Sequence, residues 1–145
     1  MNRSTLKIYY SETVKESLDR EDSELVEQAF AAAKNAYSPY SNFRVGAAIR
    51  LDNGMIVQGN NQENASFPAG ICAERTAISY AHANYPESKI RAIAVTESPC
   101  GVCRQVLLES EKRAGAPIRM ILANGNKIFI FNSVKDLLPF GFDSF

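Results

Sequence analysis

The sequence predicts a three-layer α/β/α sandwich around a mixed five-stranded sheet, and three observations carry that expectation. Helix-like and strand-like segments alternate in the order αββαβαββα, which calls for helices covering a sheet. Two tight-turn signals, Asp52-Asn53-Gly54 and Asn124-Gly125-Asn126, each separate a pair of strand-like runs and so predict two hairpins. Alanine dominates the apolar positions of the helical segments, the small residue that close packing on a sheet needs.

Residues 1–20 read as a polar extension with one short strand-like run at 6–10, and residues 21–145 as one domain. Asp22 or Ser23 is placed to cap the first helix. Leu25, Ala29, Ala33 and Ala36 line one face before Pro39 ends it. Residues 43–51 and 55–58 form the first hairpin, and a polar, irregular stretch follows over 59–70. Residues 72–84 lack Gly and Pro and suit a buried helix. A strand over 90–96 is broken by Ser98-Pro99-Cys100-Gly101, and a helix runs from 102 to about 114, ending near Gly115. The second hairpin spans 120–123 and 127–131, with a short helix over 133–138.

The composition excludes several functions. Forty-six per cent hydrophobic and 22% charged residues is the globular average, and no apolar run approaches the roughly 20 residues of a membrane span. Sixteen basic against 16 acidic side chains, with no basic cluster denser than Lys112-Arg113, leave no electrostatic footprint for nucleic acid or an anionic membrane. Small uncharged partners are favoured. The first ten residues lack the apolar core of a secretory leader, and three cysteines cannot all pair, so reduced thiols and a cytoplasmic location are expected.

The chemistry concentrates where the cysteines do. Cys72-Ala-Glu-Arg75 opens one predicted helix and Pro99-Cys-Gly-Val-Cys-Arg104 another. Taken singly, the Cys-x-x-Cys also suits a redox pair, and Cys72 a core position. Together, Cys72, Cys100 and Cys103 suit one tetrahedral metal ion with its fourth position open, the arrangement of a catalytic zinc. His82, the lone histidine, lies ten residues past Cys72 and hence about 15 Å along the helix axis, too far to complete the set. Two helix amino termini, each worth roughly +0.5 charge, offset part of the thiolate charge. Arg75 and Arg104 are expected as further partners of sulfur. Glu74, two residues after Cys72, suits a proton shuttle to the metal-bound water. A non-catalytic zinc module stapling two helices is the alternative, but it has no use for an unligated carboxylate beside the metal.

These motifs resemble the zinc-dependent cytidine deaminase family, specifically its small homotetrameric nucleoside class with three cysteine ligands. The likeness includes Ala36-Tyr-Ser-Pro-Tyr-Ser-Asn-Phe-Arg-Val-Gly-Ala-Ala48, Asn61-Gln-Glu-Asn-Ala-Ser-Phe-Pro-Ala-Gly-Ile-Cys72, Pro99-Cys-x-x-Cys-Arg-Gln105 and Leu137-Leu-Pro-Phe-Gly-Phe142. The resemblance implies one Zn2+ per chain held by Cys72, Cys100 and Cys103, attack of an activated water on C4 of cytosine, and Glu74 as the proton carrier. It implies that Ala73 and Cys100 meet the base through backbone groups, that Asn61 and Glu63 hold the sugar 3′-hydroxyl, and that Phe43 packs on the pyrimidine. Phe142 would be contributed across a subunit boundary, making the enzyme a homotetramer with shared active sites. A pyrimidine nucleoside, cytidine or deoxycytidine, is the implied substrate in pyrimidine salvage; a modified aminonucleoside of the blasticidin kind is the alternative. The chain departs from many members at Phe67, where they carry tyrosine, and in the short Glu97-Ser98 connection.

Overall fold

The inner strands are runs of small and branched apolar residues because helices cover both faces of the sheet they build. The computed structural model describes residues 1–143. The elements run β1 (Ser11–Val14), α1 (Arg20–Ala33), β2 (Gly46–Leu51), β3 (Ile56–Asn60), α2 (Ala73–Asn84), β4 (Ile90–Val95), α3 (Gly101–Ala114), β5 (Arg119–Asn124) and β6 (Lys127–Phe131). One sheet holds all the strands in the order β1-β6-β5-β4-β2-β3. Only β4 and β5 pair in parallel, as a crossover through α3 requires; the other described pairs are antiparallel.

Among the described residues, six strands replace the five expected. The extra one, β1, lies not at residues 6–10 but just beyond them, where Ser11 pairs with Ile130 and Val14 with Lys127. The register has a local cause: Tyr10 stacks on Phe131 with ring centroids 5.5 Å apart, and the Lys15 N–H reaches the Asn126 carbonyl at 3.3 Å. The polar β1 forms a sheet edge, where its Glu12 pairs with Lys127 of β6 at 2.7 Å.

Alternation along the strands sorts side chains into two layers. Ala48, Ala92, Ala94, Ile121 and Ala123 face α1 and meet its Leu25, Val26 and Ala29. Ile49, Leu51, Ile93, Val95, Met120 and Leu122 face α2 and α3 and meet Ala77, Ile78, Leu107 and Leu108. The alanines of the α1 layer bring helix and sheet so close that a Cβ on Gly46 would stand 1.9 Å from the Ala29 carbonyl oxygen. Helix α1 starts earlier than expected, because Asp19 caps it by accepting the Asp22 N–H at 2.8 Å. Strand β2 starts later than residue 43, since Phe43 and Val45 give backbone groups to the Asn61 side chain. The expected terminal helix is a 3-10 turn, Val134–Leu137.

Candidate metal centre and active site

Cys72 and Cys100 each occupy the residue immediately before a helix, with extended backbone (ψ 159° and 168°) that turns the following amides toward the same space. Cys103 follows in the first turn of α3, fully buried. The polar loop before Cys72 is zipped at both ends: Gln62 bridges Tyr37 on one side and Ile71 on the other. The close approach of Gly59 to α2, where a Cβ would be 2.5 Å from the Ala77 nitrogen, sets the height of that helix over the sheet.

The three sulfurs converge. Cys72 Sγ and Cys100 Sγ are 4.0 Å apart, and the three Sγ atoms lie within 4.8 Å of one another. Tetrahedral zinc with Zn–S bonds of about 2.3 Å needs S···S separations of about 3.8 Å, so the trio fits with a contraction of about 1 Å or less. No disulfide joins these three thiols.

Their electrostatics point the same way. Burial, reinforced by Glu74 and the neighbouring sulfurs, pushes the Cys103 thiol far above its ordinary value. Burial raises Cys72 too, against hydrogen bonds from Cys103 and Arg75. At Cys100 burial also pushes up, but hydrogen bonding outweighs it, chiefly from the Cys103 N–H at 3.4 Å, and the net shift is downward. Three thiols beside a buried carboxylate cannot all ionise without a cation, and soft sulfur donors suit zinc.

Arg75 supplies an independent sign. Its Nη2 donates to the Gly70 carbonyl at 3.4 Å, while its Nε is buried without a hydrogen-bond partner among the described residues. Burial works against the guanidinium charge, yet the Cys72 and Cys103 sulfurs outweigh it and hold its pKa up. An unspent N–H beside sulfur is what thiolates gathered on a metal would use. Arg104, expected in the same role, is engaged elsewhere. Its Nε donates to Pro99 O at 2.9 Å, Nη1 to Leu137 O at 2.9 Å, and Nη2 to Ser98 Oγ at 3.2 Å. It fastens the short 96–100 connection to the C-terminal turn, and this corrects the expectation of a bond to sulfur.

Glu74, in the first turn of α2, is 3% exposed, and burial raises its pKa against hydrogen bonds from its own N–H and Cys103 and the charge of Arg75. Ala73 beside it is fully buried. An open cavity of about 760 Å³, within the size range of small-molecule sites, has Cys72, Cys100, Asn61 and Glu63 in its wall. Both nitrogen and oxygen of the Asn61 amide are already in use: Oδ1 accepts the Val45 N–H and Nδ2 donates to Phe43 O, each at 2.8 Å. The Glu63 carboxylate accepts the Tyr40 N–H at 3.0 Å, the Ser41 N–H at 3.3 Å and the Ser41 hydroxyl, and the last of these chiefly holds its pKa below the ordinary value.

Phe43 is 52% exposed beside this wall, its N–H donating to Ser41 Oγ at 3.0 Å. Phe142 is 67% exposed and does not line the cavity of its own chain. The sequence pattern does not single out Ser41, whose hydroxyl bridges Glu63 and Phe43; a serine in a polar turn carries no distinguishing signal. His82, near the end of α2, hydrogen-bonds Ser110 Oγ at 3.1 Å and takes no part in the sulfur cluster.

A three-layer fold that gathers three thiols at two helix amino termini, with a buried carboxylate beside them and an open cavity walled by two of the sulfur residues, defines a zinc metalloenzyme. Residues 19–115 match the family model described as the cytidine and deoxycytidylate deaminase zinc-binding region. A cytidine deaminase of Halalkalibacterium halodurans is 36% identical over 123 residues, covering 81% of this chain and 91% of the relative. The crystal structure of cytidine deaminase from Burkholderia pseudomallei superposes with a TM-score of 0.70 at 40% identity, over 82% of this chain and 97% of that one. That of the Mycobacterium tuberculosis cytidine deaminase does so with 0.72 at 33% identity, over 87% and 100%. The chain belongs to the cytidine and deoxycytidylate deaminase family.

Proposed function

We propose that the protein hydrolyses cytidine and deoxycytidine to uridine and deoxyuridine with release of ammonia, a step of pyrimidine salvage. The observation that carries this reading is Glu74, a nearly buried carboxylate beside the sulfur cluster, with no arginine or lysine at ion-pair distance among the described residues. Cys72, Cys100 and Cys103 would hold the zinc. When bound, that ion supplies the Lewis acidity that lets a coordinated water lose a proton near neutral pH.

Glu74 would accept one proton of the water and deliver it to N3 as the oxygen bonds to C4; it would then take the second proton from that oxygen and pass it to the amino nitrogen, so that the C4–N bond breaks, ammonia leaves and a carbonyl remains at C4. Burial suits it to this work, because a raised pKa keeps both its protonation states within reach. The backbone of Ala73 and Cys100 meets the base. Glu63, aligned by Ser41, and Asn61 line the cavity where the sugar 3′-hydroxyl is held, and Phe43 covers the ring. The Nε of Arg75, without a partner among the described residues, would serve sulfur once the thiolates gather on zinc, and the guanidinium charge would offset theirs.

The working unit is a homotetramer in which Phe142 completes a neighbour's site. Support comes from the position of Phe142 outside its own cavity and from other exposed apolar side chains, Phe67 and Val102, on the cavity wall. A neutral chain with reduced thiols fits the cytoplasm, and no helix among the described residues is long and apolar enough to cross a membrane.

The test is ammonia release from cytidine and deoxycytidine by zinc-loaded protein, beside Glu74→Gln. The variant should keep its zinc and lose about 10²–10⁴ in kcat, the range for a lost general acid–base. Wild-type protein holding one zinc per chain yet inert on both nucleosides would refute the reading.

A further inference from the structure

Ser41 stands in the turn between α1 and β2, on the cavity wall, where its hydroxyl both gives and receives. It donates to Glu63 Oε1 and accepts the Phe43 N–H at 3.0 Å. Asn42 between them takes φ +56°, a left-handed conformation that asparagine tolerates, and so folds the Phe43 amide back onto the oxygen. With a lone pair held by that amide, the hydroxyl has its proton left to aim, and the carboxylate is what it meets. An ionised carboxylate offers about four acceptor sites. The Tyr40 N–H at 3.0 Å, the Ser41 N–H at 3.3 Å and the Ser41 hydroxyl supply donors for all but about one of them.

The two segments are fastened together without this hydroxyl. The Tyr37 N–H donates to Asn61 O at 3.0 Å, the Glu63 N–H to Tyr37 O at 2.8 Å, and the Val45 N–H to Asn61 Oδ1 at 2.8 Å. Phe43 has a second anchor of its own, since its carbonyl accepts from Asn61 Nδ2 at 2.8 Å. What the serine adds is direction: a flexible acidic side chain is held in one orientation on the cavity wall. We propose that Ser41 is a positioning residue for the sugar. Its hydroxyl, steered by the Phe43 N–H, holds the Glu63 carboxylate with an acceptor site open to the 3′-hydroxyl and so sets the preference for nucleosides that carry one. The inference rests on the reading of Glu63 as a holder of that hydroxyl.

Zinc-loaded wild type, Ser41→Ala, Ser41→Thr, Glu63→Gln and the double variant Ser41→Ala/Glu63→Gln provide the test. The readout is competitive inhibition of cytidine deamination by 2′-deoxyuridine and by 2′,3′-dideoxyuridine, which differ only in the 3′-hydroxyl. Melting temperature and zinc content are measured alongside. Wild type should bind the deoxynucleoside more tightly. Ser41→Ala should cut that preference about threefold to tenfold, the range for one lost hydrogen bond, by weakening the deoxynucleoside alone. Its KM for cytidine should rise by a similar factor with kcat held, and melting temperature and zinc should stay near wild type. Ser41→Thr keeps a hydroxyl and should keep the preference. The double variant should be no worse than Glu63→Gln alone. If Ser41→Ala leaves the preference whole while Glu63→Gln removes it, or if it weakens both nucleosides equally, the positioning role is overturned. If Glu63→Gln itself leaves the preference whole, the assignment of the 3′-hydroxyl to Glu63 fails and takes the role of Ser41 with it. Wild type inert on cytidine would sink the deaminase reading itself, and this inference with it.

Discussion

Asp22 of α1 and Arg119 at the start of β5 form a forked ion pair. Nη2 lies 2.7 Å from Oδ2, and Nε lies 3.2 and 3.1 Å from the two carboxylate oxygens. The pair explains why Asp22 does not cap its helix: its carboxylate is turned to the sheet, and Asp19 takes the cap. It also ties α1 to the strand whose parallel partner leads into Cys100. Asp22 is 9% exposed and Arg119 39%, so losing one partner costs less than the roughly 3–5 kcal/mol of a fully buried pair. Asp22→Asn should lower the unfolding free energy by about 2 kcal/mol in urea titration. A change below about 0.5 kcal/mol would show the pair to be dispensable.

Gly59 is predicted to be intolerant of any side chain. An added Cβ would stand 2.5 Å from the Ala77 nitrogen and 2.6 Å from the Ala73 carbonyl oxygen, both main-chain atoms that cannot turn aside. Gly59→Ala should therefore lift α2 from β3, cost about 1–3 kcal/mol of stability, and weaken zinc retention, because Cys72 immediately precedes α2. Competition with a chelator measures the second effect; zinc affinity equal to wild type would separate the helix height from the metal centre.

The proposed sharing of active sites between subunits predicts complementation. Glu74→Gln subunits keep Phe142 but lack the proton carrier, and Phe142→Ala subunits keep Glu74 but lack the lent ring. Dissociating and reassembling the two together should yield some sites with both residues and a kcat/KM well above the mean of the two parents. Activity equal to that mean would place Phe142 in its own subunit's chemistry or in none.

His82 predicts a small, signed pH effect on stability. Burial and then the Arg113 charge hold its pKa below the ordinary 6.5. Ser110 Oγ donates to Val106 O, so the neutral ring donates to Ser110 in turn. The unfolded chain binds this proton more readily than the folded one, so the contribution is complete above about pH 6.5 and is lost as pH falls through the lowered folded value. His82→Asn should thus show a shallower loss between pH 7 and pH 5 in parallel denaturation series; identical slopes would assign the acid sensitivity to other groups.

The metal centre could be read in the sequence because its parts are local. A Cys-x-x-Cys at a helix start and a Cys-x-Glu at another each carry their geometry in their spacing, and with only three cysteines no other set could be drawn. The hairpins were equally readable, since Gly54 and Gly125 do take positive φ at their turns. Arg104 shows where this stops. Its place beside Cys103 suggested sulfur, but a guanidinium's five donors go to whatever carbonyls the fold brings near, and Leu137 lies 33 residues away.

By itself, then, the sequence determined the alternation of helices and strands, the three thiols and the carboxylate beside them, all properties of spacing and residue type. The tertiary structure alone decided which polar groups meet across the chain: Arg75 left with a buried N–H at the sulfurs, Ser41 locked to Glu63, Asp22 drawn from its cap to Arg119, and Gln105 closed on Phe142. It also added β1 to the sheet edge, because strand pairing is chosen by the partner's free hydrogen-bonding groups and the rings of Phe129 and Phe131, not by the apolar content of residues 6–10. Each of these outcomes depends on distances between residues far apart in the chain, and a linear pattern carries no information about a distance until the backbone has closed it.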